Sequence, residues 1–339
     1  MLRSLAFALA GLAVALAPAP AAAWNSVGHL AVSKLAYDQL DDGQKLKLFD
    51  ILKRHPHFEM FLAAGRPDGV NEAEWVITRA SIWPDWVRPR DKDPRGPAVT
   101  KYHRAEDHYI NIPFIDPKDA DALAGKTLVS PDTMNVVCAL KQRCNEIMGK
   151  TVAVEDKAVA ICWVFHLIGD IHQPMHGVAY FSTAAAYRDG DMGGNKFGIK
   201  VNGRGMNLHR FWDDVLGDDP MYLDDTSDRQ ARIHRQAVTA ATALRGRELP
   251  DADRERLEKN RTFQSWAEES FELAKTVAYQ KGDGTGLLEG VELRFGQPVP
   301  DSAPEVGEKY VERAKATAEV RAVMAGRRLA DRLRVVLSK

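Results

Sequence analysis

The sequence predicts a mainly α fold with one small β-hairpin, on three observations. Apolar residues recur at helical spacing in five long stretches, residues 29–53, 156–171, 228–244, 262–280 and 305–337. Only one segment alternates as a strand does: Phe197, Ile199 and Val201, followed by Asn202-Gly203, suggest a hairpin between residues 193 and 208. The spacing His-x-x-x-Asp occurs twice, at His166/Asp170 and His209/Asp213, and sets an imidazole and a carboxylate one turn apart on one helix face.

Composition narrows the class. The 339 residues include 46 Lys and Arg against 47 Asp and Glu, so no global basic field exists and a polyanion must be held locally. Charges are dispersed and 45% of residues are hydrophobic, which excludes wholesale disorder. Residues 1–23 read as a secretory leader: Arg3 is its positive start, residues 5–16 its apolar run, and Ala21-Ala22-Ala23 its small-residue cleavage site, so Trp24 would open the mature chain. An exported chain makes cysteine pairing plausible. Cys138 and Cys144 flank a short polar stretch and could close a small loop, while Cys162 sits in the apolar run 158–165 as a buried thiol. An unpaired set is the alternative. Asn260-Arg261-Thr262 is a lone glycosylation sequon.

Along the chain, residues 29–53 open the helical part. In Ser81-Ile82-Trp83-Pro84-Asp85-Trp86-Val87-Arg88, Pro84 is expected to keep Trp83 extended, and Asp85 can start a helix whose next turn carries Arg88. Residues 107–113 form an extended, Pro-terminated run with His108 beside Tyr109. Taken alone, Asp85 is an N-cap and His108 a half-buried histidine. Residues 156–171 make an apolar helix ending on the first His/Asp pair; Pro174 then lets the chain leave, so His176 need not follow the helix phase. One His/Asp pair is weak evidence, but two of them with a nearby third histidine match the ligand types of borderline-soft zinc. The tracts 89–97, 183–194 and 282–304, rich in Pro and Gly, read as surface loops. The stripe over 305–337 reads as core. No tract separates two cores, so residues 24–339 are expected to form a single domain.

These motifs resemble those of the exported zinc-dependent single-strand-specific nucleases typified by the Aspergillus, Penicillium and mung bean enzymes, which are also 3′-nucleotidases, have bacterial members, and share a helical fold with zinc phospholipase C. The matching segments, in order, are residues 24–29, Trp83-Pro84-Asp85, His108-Tyr109-Ile110-Asn111, residues 166–176, Gly193-Gly194-Asn195, residues 207–213, Trp266-Ala267-Glu268-Glu269-Ser270 and residues 325–330. The resemblance implies three zinc ions in a cleft. Asp85, His108, His166 and Asp170 would hold one ion and His176, His209 and Asp213 a second. The third would take the α-amine and carbonyl of Trp24, with His29 and a shared Asp170. It leaves His55, His57, His103, His172 and His234 as surface or supporting groups.

The implied activity is cleavage of RNA and single-stranded DNA to products with 5′ phosphates, by a water between paired ions that loses its proton near neutral pH and attacks phosphorus in line. Arg88 and Asp170 would be catalytic, with the Arg88 fork on phosphoryl oxygens. Tyr109 would stack on a base, and Asn111 and Asp214 would contact substrate. Fungal members carry an acidic residue where Asn111 stands and an asparagine where Asp214 stands. The partner is a single-stranded nucleic acid or nucleotide; no stable protein partner and, after leader removal, no membrane anchor are implied. Two rivals differ at stated points. Zinc phospholipases C end in His-x-x-x-Glu at closer spacing, whereas this motif ends in Asp213 and its His209 follows His176 by 33 residues. A non-catalytic zinc-stabilised protein usually has closed sites, whereas His176, His209 and Asp213 leave a position open.

Overall fold

Several helices begin where a polar side chain can satisfy the free backbone N–H groups of a first turn. The computed structural model describes residues 24–90, 95–129, 133–219, 227–294 and 297–338; the expected leader, residues 1–23, lies outside them. Helix α1 (Ser26–Tyr37) is capped by Asn25, whose side chain accepts from the amides of Val27 at 3.0 Å and Gly28 at 3.2 Å. The stretch 29–53 is two helices, because Asp41 and Gln44 form a reciprocal capping box that starts α2 (Asp42–Leu52). Helix α3 (Glu72–Arg79) runs through a 3-10 turn, Ala80–Ile82, into α4 (Trp83–Trp86). Trp83 is therefore helical rather than extended, and Asp85 lies inside the turn instead of capping it. Pro84 is tolerated because a first-turn N–H needs no intrahelical acceptor.

Then come α5 (Pro97–Thr100), β1 (Pro113–Ile115), α6 (Ala120–Leu123) and α7 (Val136–Met148). Helix α7 corrects the expected disulfide loop. Cys138 and Cys144 sit six residues apart on one helix, about 9 Å along its axis, too far for a bridge. All three cysteines are free, Cys138 exposed and Cys144 and Cys162 buried. The polar stretch between them is the solvent face of an amphipathic helix whose other face covers α8 (Val154–Asp170).

The remaining elements are β2 (Ala179–Phe181), β3 (Phe197–Val201), β4 (Arg204–Asn207), α9 (Leu208–Asp214), α10 (Ser227–Arg245), α11 (Asp251–Lys259), α12 (Phe263–Leu273), β5 (Val291–Glu292) and α13 (Glu308–Leu337). The expected hairpin is β3–β4, with Val201 opposite Arg204 and both turn residues in the left-handed region, Asn202 at φ 50° and Gly203 at 75°. β5 pairs antiparallel with β3, and β1 pairs in parallel with β2. These additions are too short to leave an alternating pattern in the sequence.

Helix α1 packs on α3, α10 and α13, and α8 packs on α2, α4, α7 and the 80–82 turn around one large apolar core. A second core of Phe197, Ile199, Leu208, Phe211, Trp212, Tyr279 and Tyr310 lies under β3 and α9. The 3-10 turn Pro174–Gly177, which follows α8, packs on α9. Among the described residues no helix is long and apolar enough to cross a membrane.

Under α12 and α13 lies a buried ionic knot. Glu269 accepts from Arg321 at 2.6 Å, from both Arg328 Nη atoms at 2.7 Å, and from Asn260 Nδ2 at 2.7 Å. The Asn260 amide nitrogen is thus committed to the interior, so a glycan there would break this contact. Burial pushes the Glu269 carboxyl up, but the Arg328 and Arg321 guanidiniums outweigh it and hold it at about 2. This contribution is fully present above the ordinary carboxylate value and is lost as pH falls from about 4.5 toward 2. Glu269→Gln leaves two buried cations without an anion and is expected to cost about 3–5 kcal/mol in urea unfolding at neutral pH. An unchanged midpoint would show that the knot adds nothing.

Candidate metal centre

Helix geometry delivers the first donors. His166 and Asp170 close α8, His209 and Asp213 occupy α9, and His176 sits in the 3-10 turn Pro174–Gly177. His29 comes from α1, Asp85 from α4, and His108 ends the 3-10 turn Ala105–His108. All are buried, and they converge into three groups whose ligand atoms lie within 4.8 Å of one another: His29, His166 and Asp170; Asp85, His108 and His166; His176, His209 and Asp213. His166 belongs to two of them.

In the first two groups, His166 Nε2 lies 2.9 Å from His108 Nδ1, 3.3 Å from Asp170 Oδ2 and 3.6 Å from Asp85 Oδ1. Asp170 Oδ2 is 3.0 Å from His108 Nδ1, and its Oδ1 is 3.2 Å from His29 Nε2. His29 stacks on His166 at 4.0 Å between ring centroids. A Cβ on residue 169 would meet His29 Nδ1 at 2.7 Å, so only glycine lets this ring lie against α8. Among the described residues neither nitrogen of His29 has a hydrogen-bond partner, nor do His108 Nε2 and Asp170 Oδ1, although all are buried.

The tautomers follow from the carbonyls. A carbonyl oxygen only accepts, so Nδ1–H of His166 donates to Ser81 O at 2.7 Å, that of His176 to His108 O at 2.7 Å, and that of His209 to Gly193 O at 2.6 Å. Burial drives the pKa of His176 well below the ordinary histidine value and that of His166 down to about 3, so each ring is neutral with one proton. The Nε2 atoms of His166 and His176 therefore present lone pairs, and that of His176 lies 3.0 Å from His209 Nε2. This backing by carbonyls is the arrangement that orients metal-bound imidazoles.

Charge points the same way. Burial pushes Asp170 well above the carboxylate range, with Asp85 and Asp213 adding to the rise and Arg88 opposing it; burial does the same to Asp213. Asp170 ends α8 and Asp213 lies in the last turn of α9, the negative end of each helix dipole. Buried carboxylates, uncharged imidazoles and partnerless donor atoms fit a borderline divalent cation such as zinc. Arg88 Nη2 lies 2.8 Å from Asp85 Oδ1 and 3.4 Å from His108 Nδ1, at the edge of the same cluster.

Trp24 is wholly buried; its indole Nε1 donates to Gly169 O at 3.1 Å, and the next amide, Asn25 N, donates to Asp213 O at 3.2 Å. The start of residues 24–25 is thereby held between the ends of α8 and α9. Tyr109 and Asn111 are half-buried in an extended run that Ile110 N ties to His176 O at 2.8 Å. Asp214 accepts from Asn25 Nδ2 at 2.9 Å and Arg210 Nε at 3.3 Å, so it pins the entering chain. Of the other histidines, His55, His57, His172 and His234 are buried, not on the surface. His172 points into the Glu269 knot, where its Nε2 lies 2.9 Å from Arg328. Gln173, which the sequence reading missed, donates to Asp213 Oδ1 at 2.7 Å and accepts from Met175 N. Its place between Asp170 and His176 was the available signal.

Comparison with known proteins gives an independent result. A model of the S1/P1 nuclease family matches residues 24–338. The chain is similar to endonuclease 3 of Arabidopsis thaliana, 22% identical over 270 residues that span 78% of each chain. It is similar to endonuclease 2 of the same plant, 25% identical over 56% of this chain and 54% of that one. Nuclease P1 of Penicillium citrinum is 27% identical over 31% of this chain and 37% of its own.

Proposed function

Because the chain belongs to the S1/P1 nuclease family, we propose that it is an exported zinc-dependent endonuclease that cleaves RNA and single-stranded DNA to products with 5′ phosphates and also removes phosphate from 3′-nucleotides. The observation that carries this reading is the convergence of His176, His209 and Asp213, with the two Nε2 atoms 3.0 Å apart and each ring backed by a carbonyl on its other nitrogen, a donor set that a divalent cation fits. In this reading Asp85, His108, His166 and Asp170 hold one zinc, and His176, His209 and Asp213 a second. Trp24, through its amine and carbonyl, holds the third with His29 and the shared Asp170. That amine is free only once residues 1–23 are gone, so export would complete the site. Bound zinc supplies Lewis acidity and a water with a pKa lowered to about 7.

The protein's own groups do the rest. Asp170 fixes the spacing of the donor groups it borders. Arg88, beside Asp85 and His108, holds two phosphoryl oxygens in its planar fork, where charge builds up as phosphorus is attacked. Tyr109 offers a flat face next to His108, and a base must leave its stack to use it, which favours single strands. Asn111 reads the base edge, and Asp214 reaches the substrate from the rim while it holds Asn25. The single unit 24–339 works without a protein partner.

Arg88→Ala is expected to lower kcat by about 10²–10³-fold with zinc content unchanged, as for loss of a donor to developing charge. Tyr109→Ala should raise KM for dinucleotides by about tenfold or more with less effect on kcat. Equal losses in both constants for both variants would refute this division of labour. The function itself is tested by offering RNA, single-stranded DNA and phosphatidylcholine to the zinc-loaded protein. Cleavage of both nucleic acids and not of the lipid is expected. Hydrolysis of the lipid alone would assign the chain to phospholipid chemistry instead.

A further inference from the structure

We propose that Asp191, which lies outside the donor groups, is a positioning residue that sets His209 for metal binding by holding the Gly193-Gly194 loop from beneath. The inference rests on the zinc reading of the site. Asp191 follows β2 and is wholly buried. Its Oδ1 accepts from Tyr180 N at 2.9 Å and its Oδ2 from the Tyr279 hydroxyl at 2.5 Å, and the nearby backbone amides of Gly193 and Gly194 favour its charged form. Its own amide donates to Tyr180 O at 3.0 Å, so strand β2 and the carboxylate clamp each other.

What the clamp holds is the carbonyl behind His209. Gly193 stands at φ 61° and Gly194 at 84°, a turn that brings Gly193 O to 2.6 Å from His209 Nδ1. A Cβ on Gly193 would strike Met175 O at 2.4 Å, and one on Gly194 would strike Met175 Cε at 2.7 Å, so the loop is wedged against the turn that carries His176. A buried anion beside the amides of such a turn stabilises it electrostatically. Without it, Gly193 O is free to swing, and His209 loses both its fixed tautomer and its ring orientation. Burial raises the Asp191 carboxyl to about 6 while the surrounding donors oppose the rise.

The same core contains its own control. Tyr180, stacked on Tyr279 at 5.3 Å, donates its hydroxyl to Asp116 at 2.5 Å, a buried Tyr–Asp pair away from the glycine loop. Asp191→Asn, Tyr279→Phe and Tyr180→Phe are to be compared with wild type for zinc per chain under competition from a graded chelator, and for thermal unfolding of the metal-stripped proteins. Asp191→Asn is expected to lower the affinity of one zinc by about 10–100-fold, the usual effect of removing an outer partner. Tyr279→Phe should shift it in the same direction by less, and Tyr180→Phe should lower the apo melting point without a selective loss of zinc. Wild-type affinity in Asp191→Asn, or an equal loss in Tyr180→Phe, overturns the positioning role while leaving the zinc reading intact. A wild-type protein that takes up no zinc at all overturns that reading, and this inference with it.

Discussion

Stripping divalent cations with a strong chelator is expected to abolish cleavage of RNA and single-stranded DNA, and added zinc should restore it. The eight side-chain donors come from α1, α4, α8, α9 and two 3-10 turns, so without a cation nothing attracts phosphate or activates water at their meeting point. Apo protein must also keep buried carboxyl groups at helix ends, with His176 and His209 Nε2 held 3.0 Å apart. Thermal stability should therefore fall together with activity. A ligand at 1,000 times its Kd contributes about 4 kcal/mol, which in a chain of this size is a drop on the order of 10 °C. Zinc should reverse both changes in the same titration. Full cleavage by protein shown by elemental analysis to be metal-free would defeat the assignment outright.

Asp170→Asn is expected to be the most damaging single substitution, with turnover reduced by about 10³-fold or more, equivalent to roughly 4 kcal/mol in the barrier. Among the described residues its carboxylate alone approaches all of His29, His108 and His166, at 3.2, 3.0 and 3.3 Å. The amide has nearly the same shape but carries no charge, and its NH₂ group turns a donor toward positions where only acceptors are useful. Cations that share this residue would then face each other with less screening. Elemental analysis should give fewer than three zinc ions per chain, with the apo protein at least as stable as wild type because a raised-pKa carboxylate has been removed from the core. A variant that retained full zinc and normal turnover would show that Asp170 is not shared.

Much of the local structure was legible because its causes are local. The period of an α-helix places His166 over Asp170 and His209 over Asp213 whatever surrounds them, and Asn202-Gly203 permits the positive φ values of a tight hairpin. The capping box at Asp41 was equally available and would have split the stretch 29–53, but apolar periodicity running on both sides hid it. The cysteine loop failed for a related reason. Two cysteines around polar residues suit a disulfide loop and the outer face of a helix alike, and what selects the helix is the apolar face of Val136, Val137, Leu140 and Ile147 packed on α8.

The sequence by itself determined which chemical groups this protein has and how neighbours within one turn are spaced: imidazoles and carboxylates in pairs, an arginine one turn from an aspartate, a tyrosine beside a histidine. Tertiary structure alone decided how those pairs combine, that His166 is common to two groups, and that Ser81, His108 and Gly193 carbonyls choose which nitrogen of each ring carries the proton. It also decided that His55, His57, His172 and His234 are interior and that Asp191 stands beneath the glycine loop. The physical reason is range. Backbone dihedrals fix positions over three or four residues, whereas a carbonyl that orients an imidazole 85 residues away in the chain is brought there by burial of the apolar faces of two helices, which constrains the whole core and leaves no mark at either residue.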